Sequence, residues 1–386
     1  MVLDVTQVMA GPYCAMLLAD MGARVIKVEP PHGDTTRAMA GAVNGESAAY
    51  NAVNRGKLGV VLDLRQAEAR DAFRRLVATA DILVENFRPG VMARLGLDYA
   101  TLAADHPRLI YASISGYGQT GPWAHKGGFD LVAQGVSGIM SVTGEAGRPP
   151  VKAGIPVTDL GAGLFALAGI LAALHHRDRT GQGQQIDTSL GDAGLALSVW
   201  EATEHFSGRG LPGPLGSAHR MSAPYQAFCC ADGYITVGAA NQRTFEKLAH
   251  LLGHPEWTSD ARFVSDATRV THRDALAAAI EGETRSATRA AWLVRLDDAG
   301  IPCGALLDYA EAFETPQARA REMSVEVDHP ALGRLRSIGT PIKMSSTPLD
   351  PATRAPLLGE HTTQVLREAG YELAAIDAMR ARGSVA

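Results

Sequence analysis

The sequence predicts an α/β protein: a large, doubly wound parallel sheet with helices on both faces, joined to a smaller α+β domain. Three observations carry this. Over the first 115 residues, short apolar runs alternate with stretches of helical spacing. Those runs are nearly continuous in apolar residues, as strands covered on both faces require. The texture then changes after a Gly- and Pro-rich stretch, SGRGLPGPLGSAHR, at 207–220.

The elements follow in order. VLDV is the first strand, GPYCAMLLADMGA a helix, and RVIKVE the next strand. KLGVVLDL, DILVENF and RLIYASIS continue the strand series, with the amphipathic helix QAEARDAFRRLVATA between the first two of them. DLVAQGVSGIM and LGAGLFALAGILAALHH read as buried helices. QQIDTSL is a further strand, and LGDAGLALSVWEATEHF a single helix. APYQAFCCADGYITVGA is a hairpin turning at Asp-Gly. Helical segments then fill 242–300, and IPCGALLD is a strand. GRLRSIGTPIKMS, the loop PLLGEHT and a last helix from Thr362 to Gly370 close the chain. The expected division is a large domain from 1–205 with 326–386, a linker at 206–217 and a small domain at 218–325.

Composition excludes several classes. The 386 residues are 46% hydrophobic, enough for more than one core, and carry a formal net charge of -5. No clustered basic surface suggests nucleic acid. The uncharged run Leu160–Leu174 is 15 residues, short of the ~20 that a membrane span needs, so no membrane partner is expected. The four cysteines, Cys14, Cys229, Cys230 and Cys303, show no metal spacing and read as free thiols. With no signal-type segment in MVLDVTQVMAGPY, the expected location is the cytoplasm, with no metal.

Two stretches match G-x-G-x-x-G. Gly208, Gly210 and Gly213 follow no strand. Gly116, Gly118 and Gly121 do, but Pro122 comes at once and no acidic residue stands about 20 positions on, so a dinucleotide fingerprint is not met. A loop whose backbone approaches something closely fits better.

Asp159 stands at the mouth of the longest apolar run. Its spacing suits an N-cap, whose side chain accepts a bond from an orphan N–H. The same place suits chemistry. A helix N-terminus keeps a carboxylate ionised, and the small Gly161 and Gly163 leave room for a covalent nucleophile. The residues alone leave both open.

Several motifs, in order, resemble the family III CoA-transferases, the group of formyl-CoA transferase, carnitine CoA-transferase and the succinyl-CoA:glutarate enzymes. They are VLDVTQVMAGPYCAMLLADMGARVIKVEPP, DILVENFRPG, SISGYGQTGP, GGFDLVAQGVSG, TDLGAG with RTGQGQQID, APYQAFCCADGYI and PLLGEHT. The resemblance implies that Asp159 is a nucleophile, forming a mixed anhydride and then an aspartyl-CoA thioester. It implies no permanently bound cofactor, with coenzyme A and acyl-CoA as substrates, and an interlocked homodimer.

The resemblance also carries over a CoA site. Val8, Met9 and Ala10 match the loop after the first strand, with Met9 where many transferases have Gln. Leu62, Asp63, Leu64 and Arg65 match the adenine side. Asn86, Phe87 and Arg88 match the next loop, followed by Arg94, and Lys126 is a second candidate for phosphate. Arg suits phosphate because its fork binds bidentately. Tyr117, Asp130, Gly216 and Ser217 are expected near substrate or oxyanion. Arg220, beside His219, is expected to take the distal carboxylate of a dicarboxylic acid. The related alpha-methylacyl-CoA racemases pair an Asp with a His, since proton removal and return on opposite faces need two groups. Here Phe129 precedes Asp130, so acyl exchange is expected over racemisation.

Overall fold

In a computed structural model of the chain, which describes residues 1–39, 41–43 and 46–386, the first six strands form one parallel sheet. They are β1 (Val2–Asp4), β2 (Val25–Glu29), β3 (Lys57–Val61), β4 (Ile82–Glu85), β5 (Ile110–Ser115) and β6 (Gln185–Ser189). Their spatial order is β3-β2-β1-β4-β5-β6. In register, Leu3 lies between Ile26 and Leu83.

Side chains alternate between two cores, one on each face. Leu3, Ile26, Val60, Leu83 and Tyr111 meet Phe73 and Leu76 of the helix Ala67–Val77. The same core takes Val365, Leu366, Ile376 and Met379, so the C-terminal helices Thr362–Glu368 and Leu373–Ala381 cover this face. On the other face Val2, Val25, Ile82, Val84 and Ile110 meet Cys14 and Leu17 of the helix Ala10–Asp20. Ala162, Ala166 and Ile170 of the helix Val157–Thr180 join them. Two-sided burial explains why these strands read as continuous apolar runs.

Two compact units partition the chain. The first comprises Met1–Met140, Lys152–Leu211 and Pro316–Ala386; the second comprises Ser141–Val151 and Pro212–Thr315. The second holds an antiparallel sheet of β7 (Tyr225–Cys230), β8 (Gly233–Gly238) and β9 (Cys303–Ala305). Phe228, Ile235, Phe245, Leu248 and Trp292 are in its core. The excursion 141–151 was not foreseen in the sequence. Gly144 accepts the Gly216 N–H at 2.7 Å, which fastens this excursion to the chain after Pro212.

Other differences have local causes. The expected single helix at 190–206 is two, Leu190–Leu197 and Val199–Phe206. Ser198 ends the first, and its hydroxyl donates back to Gly194 O at 3.0 Å, a habit of serine that bends helices. The sequence reading missed β10 (Ser324–His329), which pairs antiparallel with β11 (Gly333–Ile338). The apolar run belongs to a 24-residue helix, which continues through the charged turn to Gly181 in the left-handed conformation. That helix is buried on one face only; Leu164, Phe165 and Leu171 on the other are exposed. Leu131, Val132 and Val136 of the helix Asp130–Val136 are exposed too, contrary to the expected burial. Among the described residues, nothing packs over these faces.

Candidate active site

The strand order reverses between β1 and β4, and the loops leaving their carboxyl ends diverge. Open α/β sheets bind ligands in the crevice this makes. A cleft of about 310 Å³ lies there. Residues 7–10, 86–89, 114–116 and 126–129 line it, with Asp159 and Leu190.

Asp159 lies within the first turn of its helix, three residues after the capping position at Pro156, so it is not the N-cap. The start of the helix is capped from outside. Asp130 accepts the Thr158 N–H at 3.0 Å and the Thr158 hydroxyl at 2.7 Å. Gln134 donates to its other oxygen at 2.7 Å. Asp130 thus caps the neighbouring helix, although it opens its own.

This leaves Asp159 without a hydrogen-bond donor among the described residues. Burial, and secondarily the Asp130 carboxylate, push its carboxyl up to about 7. The expectation that the helix end keeps it fully ionised is corrected here, because partial burial beside a like charge outweighs the dipole. At neutral pH such a group is a substantial fraction anion and a stronger base than an ordinary aspartate. That suits nucleophilic or acid–base chemistry.

The glycines after Asp159 make room for helices, not for substrate. A Cβ at Gly163 would lie 2.7 Å from Ala10 O, and one at Gly161 would lie 2.9 Å from Leu197 Cδ1. Gly116 has a related role. A Cβ there would meet the Gly128 backbone at 2.8 Å, so the loop carrying Lys126 lies directly on the end of β5. This is the close approach expected of the Gly116–Gly121 loop.

The other expected residues divide into those the fold brings together and those it does not. Val8, Met9, Ala10, Asn86, Phe87, Arg88 and Lys126 line the same cleft as Asp159. Asn86 is a clip: it accepts the Gln7 N–H at 2.8 Å and donates to Gln7 O at 2.7 Å. Lys126 is exposed and rests over the Trp123 ring, 4.3 Å from its centroid. Leu62, Asp63, Leu64 and Arg65 follow β3 on the same edge of the sheet but do not line the cleft. The Leu62 side chain is in the core, and Arg65 pairs with Asp63 at 2.8 Å. Arg94 and Asp130 also lie outside the lining. Tyr117 packs edge-on against Trp123 and lines a separate hollow with Asp192 and Leu195.

Gly216, Ser217 and Arg220 belong to the second unit. The expected oxyanion donor at Gly216 is already engaged, its N–H donating to Gly144 O. Ser217 Oγ accepts the Ala227 N–H at 3.1 Å, and Arg220 donates to Gly213 O at 2.6 Å.

The sequence reading missed Gln7, Pro89, Ile114, Ser115, Gly127, Gly128 and Leu190 as lining residues. Their shared signal is position. Each strand's carboxyl end at a switch point is a site candidate once the strand order is known, and the strand order is not local information.

Known proteins resemble this chain over nearly its full length. The family described as CoA-transferase family III matches residues 1–362. An acetyl-CoA:oxalate CoA-transferase of Acetobacter aceti is 42% identical over 377 residues, covering 95% of this chain and 94% of that protein. A succinate–glutarate CoA-transferase of Agrobacterium fabrum is 39% identical, with 95% and 94% covered. The solved structure of a CAIB/BAIF family protein from Brucella suis superposes with a TM-score of 0.84 at 39% identity, covering 95% of this chain and 97% of the other.

Proposed function

The chain belongs to CoA-transferase family III, and on that premise we propose that it moves CoA from an acyl-CoA donor, succinyl-CoA in our reading, to a dicarboxylic acid through covalent chemistry on Asp159. The observation that carries the proposal is the Asp159 carboxyl, tuned to about 7, facing the cleft at the switch point of the sheet.

In this mechanism the Asp159 carboxylate attacks the thioester carbonyl. The C–S bond breaks, and CoA thiolate leaves behind a mixed anhydride. The thiolate then attacks the aspartyl carbonyl and releases the donor acid as its carboxylate. The acceptor carboxylate attacks the resulting aspartyl-CoA thioester and displaces the thiolate again. Attack of that thiolate on the acceptor's carbonyl gives the new acyl-CoA and restores Asp159. Each exchange is thereby split into easier steps. Arg88 and Lys126 are the cations for the CoA phosphates, and Asp130 holds the first turn that carries the nucleophile. Relatives named for oxalate, glutarate and mesaconate, at 42%, 39% and 40% identity, support a dicarboxylate acceptor.

The exposed apolar surface supports a homodimer in the same reading. Phe206, Leu211 and Trp200 are 81%, 85% and 58% exposed in the single chain, and Leu164, Phe165 and Leu171 of the helix Val157–Thr180 are exposed as well. Exposed apolar side chains of this number and size support a protein interface. Sedimentation as a monomer at micromolar concentration would count against it.

Intact-protein mass after mixing with succinyl-CoA tests the central step. Wild type gains a CoA-sized adduct that hydroxylamine removes, and Asp159→Ala gains none. If no adduct forms and solvent deuterium enters the acyl-CoA alpha carbon instead, Asp159 is an acid/base group and the transfer reading fails.

A further inference from the structure

One wall of the cleft is held in a conformation its residues do not favour. Val8 has φ +71, and Glu322 is the only other described non-glycine residue with a positive φ. A β-branched residue there is an outlier that persists only where its surroundings over-determine it. Those surroundings are specific. The Val8 N–H points at the two oxygens of Asp34, at 3.4 and 3.2 Å. Asp34 is fully buried and pairs with the fully buried Lys27 at 3.2 Å. Lys27 also donates to Thr6 O, two residues before Val8. Thr36 fills the remaining capacity of Asp34 with its N–H at 2.9 Å and its hydroxyl at 2.8 Å. Burial alone would raise the Asp34 carboxyl, but Lys27 and the Thr36 donors outweigh it and hold the group below the ordinary range.

Both flanks of the loop, Gln7 and the first turn of the following helix, are tied down as well. Asn86 clips Gln7 from the β4 side, and Lys57 of β3 donates to Pro12 O at 2.9 Å. Yet Val8 itself has Asp34 as the partner for its N–H. Lys27 stands in the middle of a buried parallel strand, where an apolar residue would avoid the desolvation of a charge. A charged pair retained there, with one member aimed at a strained residue of the cleft, reads as a device for geometry rather than for stability.

We propose that Asp34, clamped by Lys27, is a positioning residue of the transfer site: it fixes Val8 in the left-handed conformation, so that the N–H groups of Met9 and Ala10, at the start of the following helix, are presented to the amide-bearing arm of the acyl-CoA. This inference rests on the CoA-transfer reading, and its test keeps the two apart. Calorimetry with CoA is run on wild type, Asp34→Asn, and the double variant Val8→Gly with Asp34→Asn, alongside kcat, KM and melting temperature. Asp34→Asn is expected to weaken CoA about tenfold or more and to raise KM more than it lowers kcat. Glycine adopts positive φ without help, so the double variant is expected to bind within about threefold of wild type while its melting temperature stays as low as that of Asp34→Asn. Rescue of binding without rescue of melting is what a merely structural role does not give. Wild-type affinity in Asp34→Asn, or no rescue in the double variant, overturns the inference. Should Asp34→Asn fail to fold, Val8→Pro leaves the ion pair in place but sets φ near about −65°. It is expected to lose binding by tenfold or more, and unchanged binding overturns the inference. A wild type that binds no CoA removes the CoA-transfer reading itself, and this inference with it.

Discussion

Asp159→Asn makes a prediction that needs no substrate. The folded Asp159 titrates at about 7, against 3.8 for an ordinary aspartate. Over the interval between those values the folded chain keeps a proton that the unfolded chain has given up. The stability it contributes is therefore complete below 3.8 and is lost as the pH rises through about 7. At ~1.36 kcal/mol per pH unit, the loss is about 1.7 kcal/mol at pH 5 and about 4 kcal/mol at pH 8. Partial exposure of the carboxyl reduces this by solvent screening, which leaves an expected change of about 2 kcal/mol between those two pH values. Asparagine does not titrate, so its packing cost is the same at every pH. Urea unfolding of both proteins at pH 5, 6, 7 and 8 isolates the titrating part as the difference between them. That difference should move in the variant's favour up to about pH 7 and then level off. A difference that stays flat across the series would refute the reasoning, because it would mean the carboxyl ionises alike in folded and unfolded chains.

Under the proposed mechanism the same titration governs chemistry: adduct formation with succinyl-CoA should rise with pH and level off above about 7, since the anion would be the attacking form. Asp130→Asn removes the neighbouring charge and should move that midpoint down while its amide oxygen still caps Thr158, which pH-resolved adduct rates would detect. Asp130→Ala also loses the cap and should lower stability by about 1 kcal/mol more than Asp130→Asn, read by denaturant midpoint. Lys126→Gln should raise KM for acyl-CoA about tenfold with kcat little changed, as loss of a charged hydrogen bond predicts. Gly163→Ala puts a methyl 2.7 Å from Ala10 O, and the overpacking should cost about 1–3 kcal/mol in thermal unfolding.

Much of the architecture is legible in local pattern. The central strands β1, β4 and β5 have nearly continuous apolar runs, and Ala67–Val77 has its buried stripe at Ala69, Ala72, Phe73 and Leu76. The short helices Ala48–Asn54, Val91–Leu95 and Tyr99–Asp105 are not, because five to seven residues are too few to establish a period. The pairing of β10 with β11 also escapes, since half-exposed strands lack a continuous apolar signal.

For the site, the motifs alone point to Asp159 and to the loops after β1 and β4. Those residues sit next to strong local signals: a strand end, a helix start, glycines at tight approaches. What Asp159 is chemically depends on the fold. Its carboxyl reaches about 7 because the Val157–Thr180 helix buries it and brings Asp130, 29 positions earlier, alongside. Asp130 reads in sequence as a cap for its own helix, yet it caps the next one. Asp34 reads locally as the cap of the short turn Thr35–Ala38, and its hold on Val8, 26 positions away, leaves no trace in the sequence. Period and turn chemistry are written within a few residues of each other, so the sequence by itself determined the central strands, the longer helices and the place of Asp159 at a helix start. Burial, charge proximity and strain are sums over neighbours that only the closed sheet brings within a few ångströms, so the tertiary structure alone decided the reactivity of Asp159 and the shape of the loop in front of it.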